Sequence, residues 1–191
     1  KEMYPDVEYC DYDFGSSDKV MEGKYRPGHF TGVAQIVEKL LKLTEPDKAY
    51  FGLKDYQQFV IINELVRQRN FPVQIIGCPT IREADGLAMS SRNRLLSPDQ
   101  RNSAAKISQA LFMMREKAEY ISLQEMKKWV VGTINSDKNM EVEYFEIVDS
   151  TDLSPLNEWN DSLNRRGCIA VWVGTTRLID NISIEGVKYN N

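Results

Sequence analysis

The 191-residue chain predicts an α/β protein in two parts. Three observations carry that expectation. Two short apolar runs, "KAYFG" (48–52) and "VQIIGCP" (73–79), bracket one helical pattern, the order of a parallel βαβ unit with a right-handed crossover. Two later segments open with helix-start chemistry, Ser97 before Pro98 and Ser122 three residues before Glu125. The last third then reads as strands. Residues 1–81 are expected to form an incomplete parallel α/β domain. Residues 82–191 are expected to form a small α+β domain of helices and an antiparallel sheet.

Taken in order, "VEYCDYDF" (7–14) alternates weakly and suggests a short edge strand. "GSSDKVMEG" reads as a turn with one helical turn. Pro27 and Gly28 punctuate "KYRPGHFTG" (24–32) as a loop. Thr31 then caps a helix whose apolar positions are Val33, Ile36, Val37, Leu40 and Leu41, with Pro46 at its end. "KAYFG" follows as a short buried strand. From about Asp55 a helix presents Tyr56, Phe59, Val60, Ile62, Leu65 and Val66, with Arg67 and Arg69 suiting the dipole of its last turn. "VQIIGCP" is the second parallel strand.

"IREADGLAMSSRN" (81–93) has no clean period and looks like a functional loop; the domain boundary is expected in 81–97. The next helix uses Ala105, Ile107, Ala110, Leu111 and Met114 as its apolar face. A second helix starts at Ser122. "MEVEYFEIVD" (140–149) alternates through Val142, Tyr144 or Phe145, and Ile147, a half-buried strand. "CIAVWVGTTRLIDNI" supplies a strand and then a shorter one.

Bulk properties narrow the function. Hydrophobic residues are 42% and charged residues 27%, an ordinary globular balance. The net charge of -4, from 24 basic and 28 acidic residues, speaks against nucleic acid or an anionic membrane as partner. Cys10, Cys78 and Cys168 are too scattered for a disulfide framework or zinc site, and suit a reducing, cytoplasmic setting. His29 is the sole histidine, so no His-rich metal site is expected.

Ligands of parallel α/β sheets bind beyond the carboxyl ends of the strands. Two such ends are readable, at Gly52–Asp55 and after Cys78. A helix start favours an anion, so Lys54 there makes sense if a phosphate lies between the lysine and the helix. Gln58, one turn on, would face the same cavity and could bond a hydroxyl or carboxylate. "MSSRN" (89–93) adds two hydroxyls, successive backbone N–H groups and a guanidinium, a compact phosphate grip. Gly86 upstream would let this loop move. Each residue also has a plainer reading: Lys54 as a solvated charge, Asp55 as a cap, Gln57 as surface, Arg26 and His29 as turn residues.

"RPGHFTGV", "FGLKDYQQF" and "READGLAMSSRNRLLSPDQR" together resemble the pantothenate synthetases, the pantoate–β-alanine ligases, in order and spacing. The likeness runs from Lys1 to "RLIDN" (177–181). It implies a Rossmann-like nucleotidyltransferase fold of the HIGH type, and an enzyme that joins pantoate to β-alanine through a pantoyl adenylate. ATP, with Mg2+, pantoate and β-alanine would be the small-molecule partners, and a homodimer the assembly. By the same likeness Gly52, Leu53, Lys54 and Asp55 contact ATP, as do Ile81, Met89, Ser90, Ser91 and Arg92. Gln58 and Arg26 serve pantoate. Lys54, Ser90, Ser91 and Arg92 would carry the chemistry.

Two departures stand out. Leu53 replaces a usual glutamate. The family's opening strand and H-x-G-H element have no counterpart, so the chain is expected to be the C-terminal portion of a longer synthetase or a natural truncation. Such a piece is expected to bind ATP weakly and not to turn over. The competing expectations are a fragment of another nucleotidyltransferase and a non-catalytic dimerisation module.

Overall fold

The computed structural model describes residues 11–184. The chain divides into two compact units, Lys1–Cys78 and Pro79–Asn191.

In the first unit, α1 (Met21–Tyr25), α2 (His29–Thr44), β1 (Lys48–Gly52), α3 (Tyr56–Arg69) and β2 (Gln74–Cys78) follow in order. β1 and β2 pair in parallel, from Lys48 opposite Gln74 to Gly52 opposite Cys78. Their carboxyl ends are therefore flush. Phe14, Phe30, Ala34, Ile61, Ile62 and Leu65 form the core between α2 and α3. Glu38 is buried beside it, yet well bonded: it accepts from Tyr12 Oη at 2.8 Å and Arg69 Nε at 3.2 Å, with Lys42 Nζ at 2.7 Å. Burial pushes its carboxyl up, but these three partners outweigh burial and hold it below the ordinary value. Arg69 thus joins two helices as well as suiting the end of its own.

Several expectations change here. Residues 11–14 lie in no strand, and residues 7–10 of the expected edge strand lie outside the described residues. Phe14 is instead a core residue. The loop expected over 24–32 shrinks to 26–28, because α2 starts at His29 and not after a Thr31 cap. Gly28 takes the cap position at φ 79°, a left-handed geometry that glycine adopts without strain, and its carbonyl accepts from Gly32 N–H at 3.1 Å. β1 is not buried: exposed and half-buried residues alternate, and Tyr50 is 65% exposed. The first unit's sheet has two strands, β1 and β2, among the described residues.

In the second unit, α4 (Pro98–Lys117) and α5 (Leu123–Asn135) pack on a sheet of β3 (Met140–Asp149), β4 (Arg165–Val173) and β5 (Thr176–Ser183). The sheet is antiparallel in the order β3-β4-β5. Both helices begin with complete capping boxes, Ser97 with Gln100 and Ser122 with Glu125. Ala105, Ile107, Ala110, Leu111 and Met114 are buried. An irregularity between Val142 and Tyr144 shifts the strand alternation, so Phe145 and Ile147 face the core while Tyr144 does not. Among the described residues, no helix is long and apolar enough to cross a membrane.

Candidate functional site

The predicted residues fall into two groups, one in each unit. The first is built on the carboxyl end of β1. Gly52 leaves the strand extended, and Leu53–Asp55 form one 3-10 turn that runs into α3. Lys54 is half-buried in this turn rather than in the α-helix itself. Asp55 occupies the cap position of α3, but its side chain makes no capping hydrogen bond. The carboxylate is exposed, so the plain capping reading does not hold.

Leu53 turns its side chain inward against β2. A Cβ added to Gly77 would lie 2.7 Å from Leu53 Cδ2, so the glycine makes room for it. What Leu53 can offer a ligand is its backbone.

Gln58 is half-buried in the first turn of α3. Its neighbour Gln57, expected at the surface, is buried and accepts from Glu22 N–H at 3.0 Å. Gln57 Nε2 donates to the carbonyls of Ser17 at 2.7 Å and Val20 at 2.9 Å. This amide stitches the start of α3 to the start of α1. Arg26 belongs to the same neighbourhood: its Nη1 lies 3.5 Å from Glu22 Oε2 and 3.2 Å from His29 Nε2. Arg26 is exposed at the end of α1. The two residues read as pantoate contacts are thus linked to one scaffold through Glu22 and Gln57.

The second group is a hairpin that the sequence presented only as a loop. Met89 N–H donates to Ile81 O at 2.9 Å, Glu83 N–H to Leu87 O at 2.8 Å, and Arg82 bridges Ala88. Ile81 and Met89, eight positions apart, are thereby cross-strand neighbours; both are exposed, at 67% and 49%. Gly86 is a turn residue at φ 91°, its N–H donating to Glu83 O at 2.9 Å. Asp85 and Arg101 clamp the turn with two hydrogen bonds, at 2.5 and 3.2 Å. The Arg101 guanidinium holds the Asp85 carboxyl below its ordinary value.

Ser90 caps a 3-10 turn spanning Ser91–Leu95, its Oγ accepting from Arg92 N–H at 3.2 Å. That N–H is occupied here, while the Ser90 hydroxyl keeps its own proton to donate. Ser91 and Arg92 are exposed, and Arg92 Nη1 donates to Arg177 O at 3.2 Å. A pocket of about 600 Å³ opens beside them, lined by Glu83, Met89, Ser90, Ser91, Asn93, Arg94 and Arg101. Sequence reasoning does not single out Arg94 or Arg101. A signal for Arg94 is present in the "SSRNR" run, a second guanidinium two residues after Arg92. Arg101 carries none, because only the fold brings it back to the hairpin.

Chemically, the first group offers an ammonium, an amide and helix-start N–H groups. The second offers two hydroxyls and exposed guanidinium groups. Both suit phosphate oxygens. Among the described residues, no group of three or more His, Cys, Asp or Glu side chains could hold a metal ion.

The family model described as pantoate-beta-alanine ligase matches residues 1–183. The pantothenate synthetase of Bacteroides thetaiotaomicron is 48% identical over 187 residues, covering 98% of this chain and 66% of that protein. That of Porphyromonas gingivalis is 46% identical over 97% of this chain and 66% of its own length. The chain thus spans slightly less than two thirds of these curated relatives. The crystal structure of pantothenate synthetase from Thermus thermophilus aligns with a TM-score of 0.89 at 40% identity, over 96% of this chain and 67% of that one. The pantoate-beta-alanine ligase of Francisella tularensis, complexed with beta-gamma ATP and beta-alanine, aligns at 0.71 with 32% identity, over 95% and 61%.

Proposed function

The chain belongs to the pantoate-beta-alanine ligase family, and from that premise we propose that its two residue groups serve the ATP-dependent condensation of pantoate with β-alanine. In the first step a pantoate carboxylate oxygen bonds to the α-phosphorus of ATP. The bond from that phosphorus to the bridging oxygen breaks, and pyrophosphate leaves. In the second step the β-alanine amine adds to the acyl carbonyl and loses a proton, and AMP departs. Nucleotidyl transfer of this kind needs positioning and charge stabilisation more than a covalent catalyst.

The observation that carries the reading is the flush parallel end of β1 and β2, with Lys54 in the turn that leaves it. A phosphate at a helix start is favoured by the dipole and by unpaired N–H groups, and an ammonium beside it balances the charge. Lys54 and Arg92 take the charge roles, and Ser90 and Ser91 donate from their hydroxyls. Gly52, Leu53 and Asp55 approach ATP from the turn, Leu53 through its backbone. Ile81 and Met89 give an apolar surface for ATP on the hairpin. Gln58 and Arg26 receive pantoate.

Mg2+ accompanies ATP in this reading. The chain's carboxylates form no cage for it among the described residues, and phosphates and water are the usual majority of its ligands. A homodimer is proposed on the family likeness alone, and a cytoplasmic setting on the scattered cysteines as well.

A hybrid tests the function. This chain replaces the matching segment of the Bacteroides thetaiotaomicron synthetase, to which it is 48% identical. The hybrid is expected to form pantothenate from ATP, pantoate and β-alanine. A folded hybrid that yields none contradicts the reading.

A further inference from the structure

Arg82 is a cation that the reaction above does not use, yet its guanidinium is more heavily engaged than that of Arg92. Nη1 and Nη2 donate to the Asp180 carboxylate on β5, at 2.7 and 3.0 Å. Nη1 also donates to Gly86 O at 3.1 Å, and Nη2 to Asn181 O at 3.3 Å. The guanidinium lies 5.1 Å from the centre of the Phe112 ring on α4. Asp180 is 3% exposed.

A buried ion pair of this type is often no more stabilising than a packed apolar pair. What apolar side chains cannot do is hold a turn carbonyl and a neighbouring strand in one fixed geometry. A planar five-donor fork can. The turn it holds is also seated on α4, where a Cβ at Gly86 would come within 3.2 Å of Ser108 Oγ. Just beyond, Leu87 and Ala88 are buried, and Ala88 O accepts from Asn93 Nδ2 at 3.1 Å. The 3-10 turn that carries Ser90, Ser91 and Arg92 continues directly from the second strand of this anchored stem.

We propose that Arg82 and Asp180 are positioning residues for that segment: their bidentate pair fixes the hairpin from which Ser90, Ser91 and Arg92 follow. The proposal rests on the reading of that segment as an ATP grip. Neither residue touches the reacting atoms.

The test is amide hydrogen exchange on the whole 191-residue chain, read at Met89 and Asn93. Their N–H groups bond Ile81 O at 2.9 Å and Ser90 O at 3.1 Å. Three variants are compared: Arg82→Lys, Asp180→Asn, and the double variant Arg82→Met with Asp180→Leu. Lysine keeps the charge but loses the fork. The double variant keeps packing and removes the pair. Asp180→Asn keeps the shape, and supplies the reading should the others fail to fold.

Exchange at Met89 and Asn93 is expected to rise at least about tenfold, while amides of β3 and β4 keep their protection. Protection within about twofold of wild type, in a folded variant, overturns the proposal. Titration with ATP, followed at the Ser90, Ser91 and Arg92 amides, separates the two readings. A response in wild type that weakens at least about fivefold in the variants supports positioning. An unchanged response in a variant with a loosened stem overturns it. No response in wild type contradicts the ATP reading, and the exchange data then decide by themselves whether the pair sets the hairpin.

Discussion

At the residue scale, adjacent side chains in one short motif divide their work. In "DYQQF", Gln57 is buried and spends its amide on three backbone groups, while Gln58 is half-buried at the site turn. The sequence points Gln58 toward the site and leaves Gln57 at the surface; the burial of Gln57 depends on α1 packing beside the helix. Asp137 shows how far local bonding reaches. It accepts from Lys106 Nζ at 2.8 Å and from Asn139 N–H at 3.0 Å. The lysine first, then that N–H and the Ser103 hydroxyl, lower its carboxyl from 3.8 to about 2. A lowered folded-state value stabilises the protein above the unfolded value, and the gain fades as pH falls through the folded one. Asp137→Asn is therefore expected to lower stability at neutral pH, with the gap from wild type closing between 3.8 and about 2. Urea unfolding across that range checks it; a gap independent of pH contradicts it.

At the scale of elements, the sequence was most legible where one chemical rule acts locally. Ser97 with Gln100 and Ser122 with Glu125 start their helices as the spacing predicts, because a capping box is complete within four residues. β1 and β2 were legible as short apolar runs, although β1 is not buried, and α3 through its helical spacing. The start of α2 was not, since Gly28 in a left-handed geometry replaces the expected Thr31 cap. The hairpin over 81–89 was hidden for a different reason. It is held by Arg82 and Asp85, whose partners Asp180 and Arg101 come from β5 and α4, and no local period records such bonds. Leu53 and Gly77 are a comparable pair across the β1–β2 end. Gly77→Ala places a methyl 2.7 Å from Leu53 Cδ2. The leucine end can shift, so the expected loss is about 1–3 kcal/mol. Leu53→Ala combined with it is expected to recover part of that loss. Additive losses in a double-mutant cycle contradict direct packing.

At the scale of the whole molecule, each of the two units carries one of the two residue groups proposed to serve ATP. The first has a parallel strand end, an ammonium and an amide. The second has a 3-10 turn after the hairpin, with hydroxyls and guanidinium groups beside a pocket of about 600 Å³. The antiparallel unit is closed by its own core, whereas β1 leaves Tyr50 65% exposed. Family, fold class and the order of the three motif blocks were readable from the sequence. The arrangement of each group was not, because it depends on bonds between residues far apart in the chain.

The central claim is that Lys54 and Arg92 act in the adenylation step. Pantoate-dependent exchange between ATP and pyrophosphate reports that step alone. It is measured in the hybrid synthetase carrying this chain, with Lys54→Ala and Arg92→Ala made separately. Each substitution is expected to reduce exchange by roughly 10²-fold or more while the protein stays folded. Exchange at the unsubstituted rate in either folded variant contradicts the account.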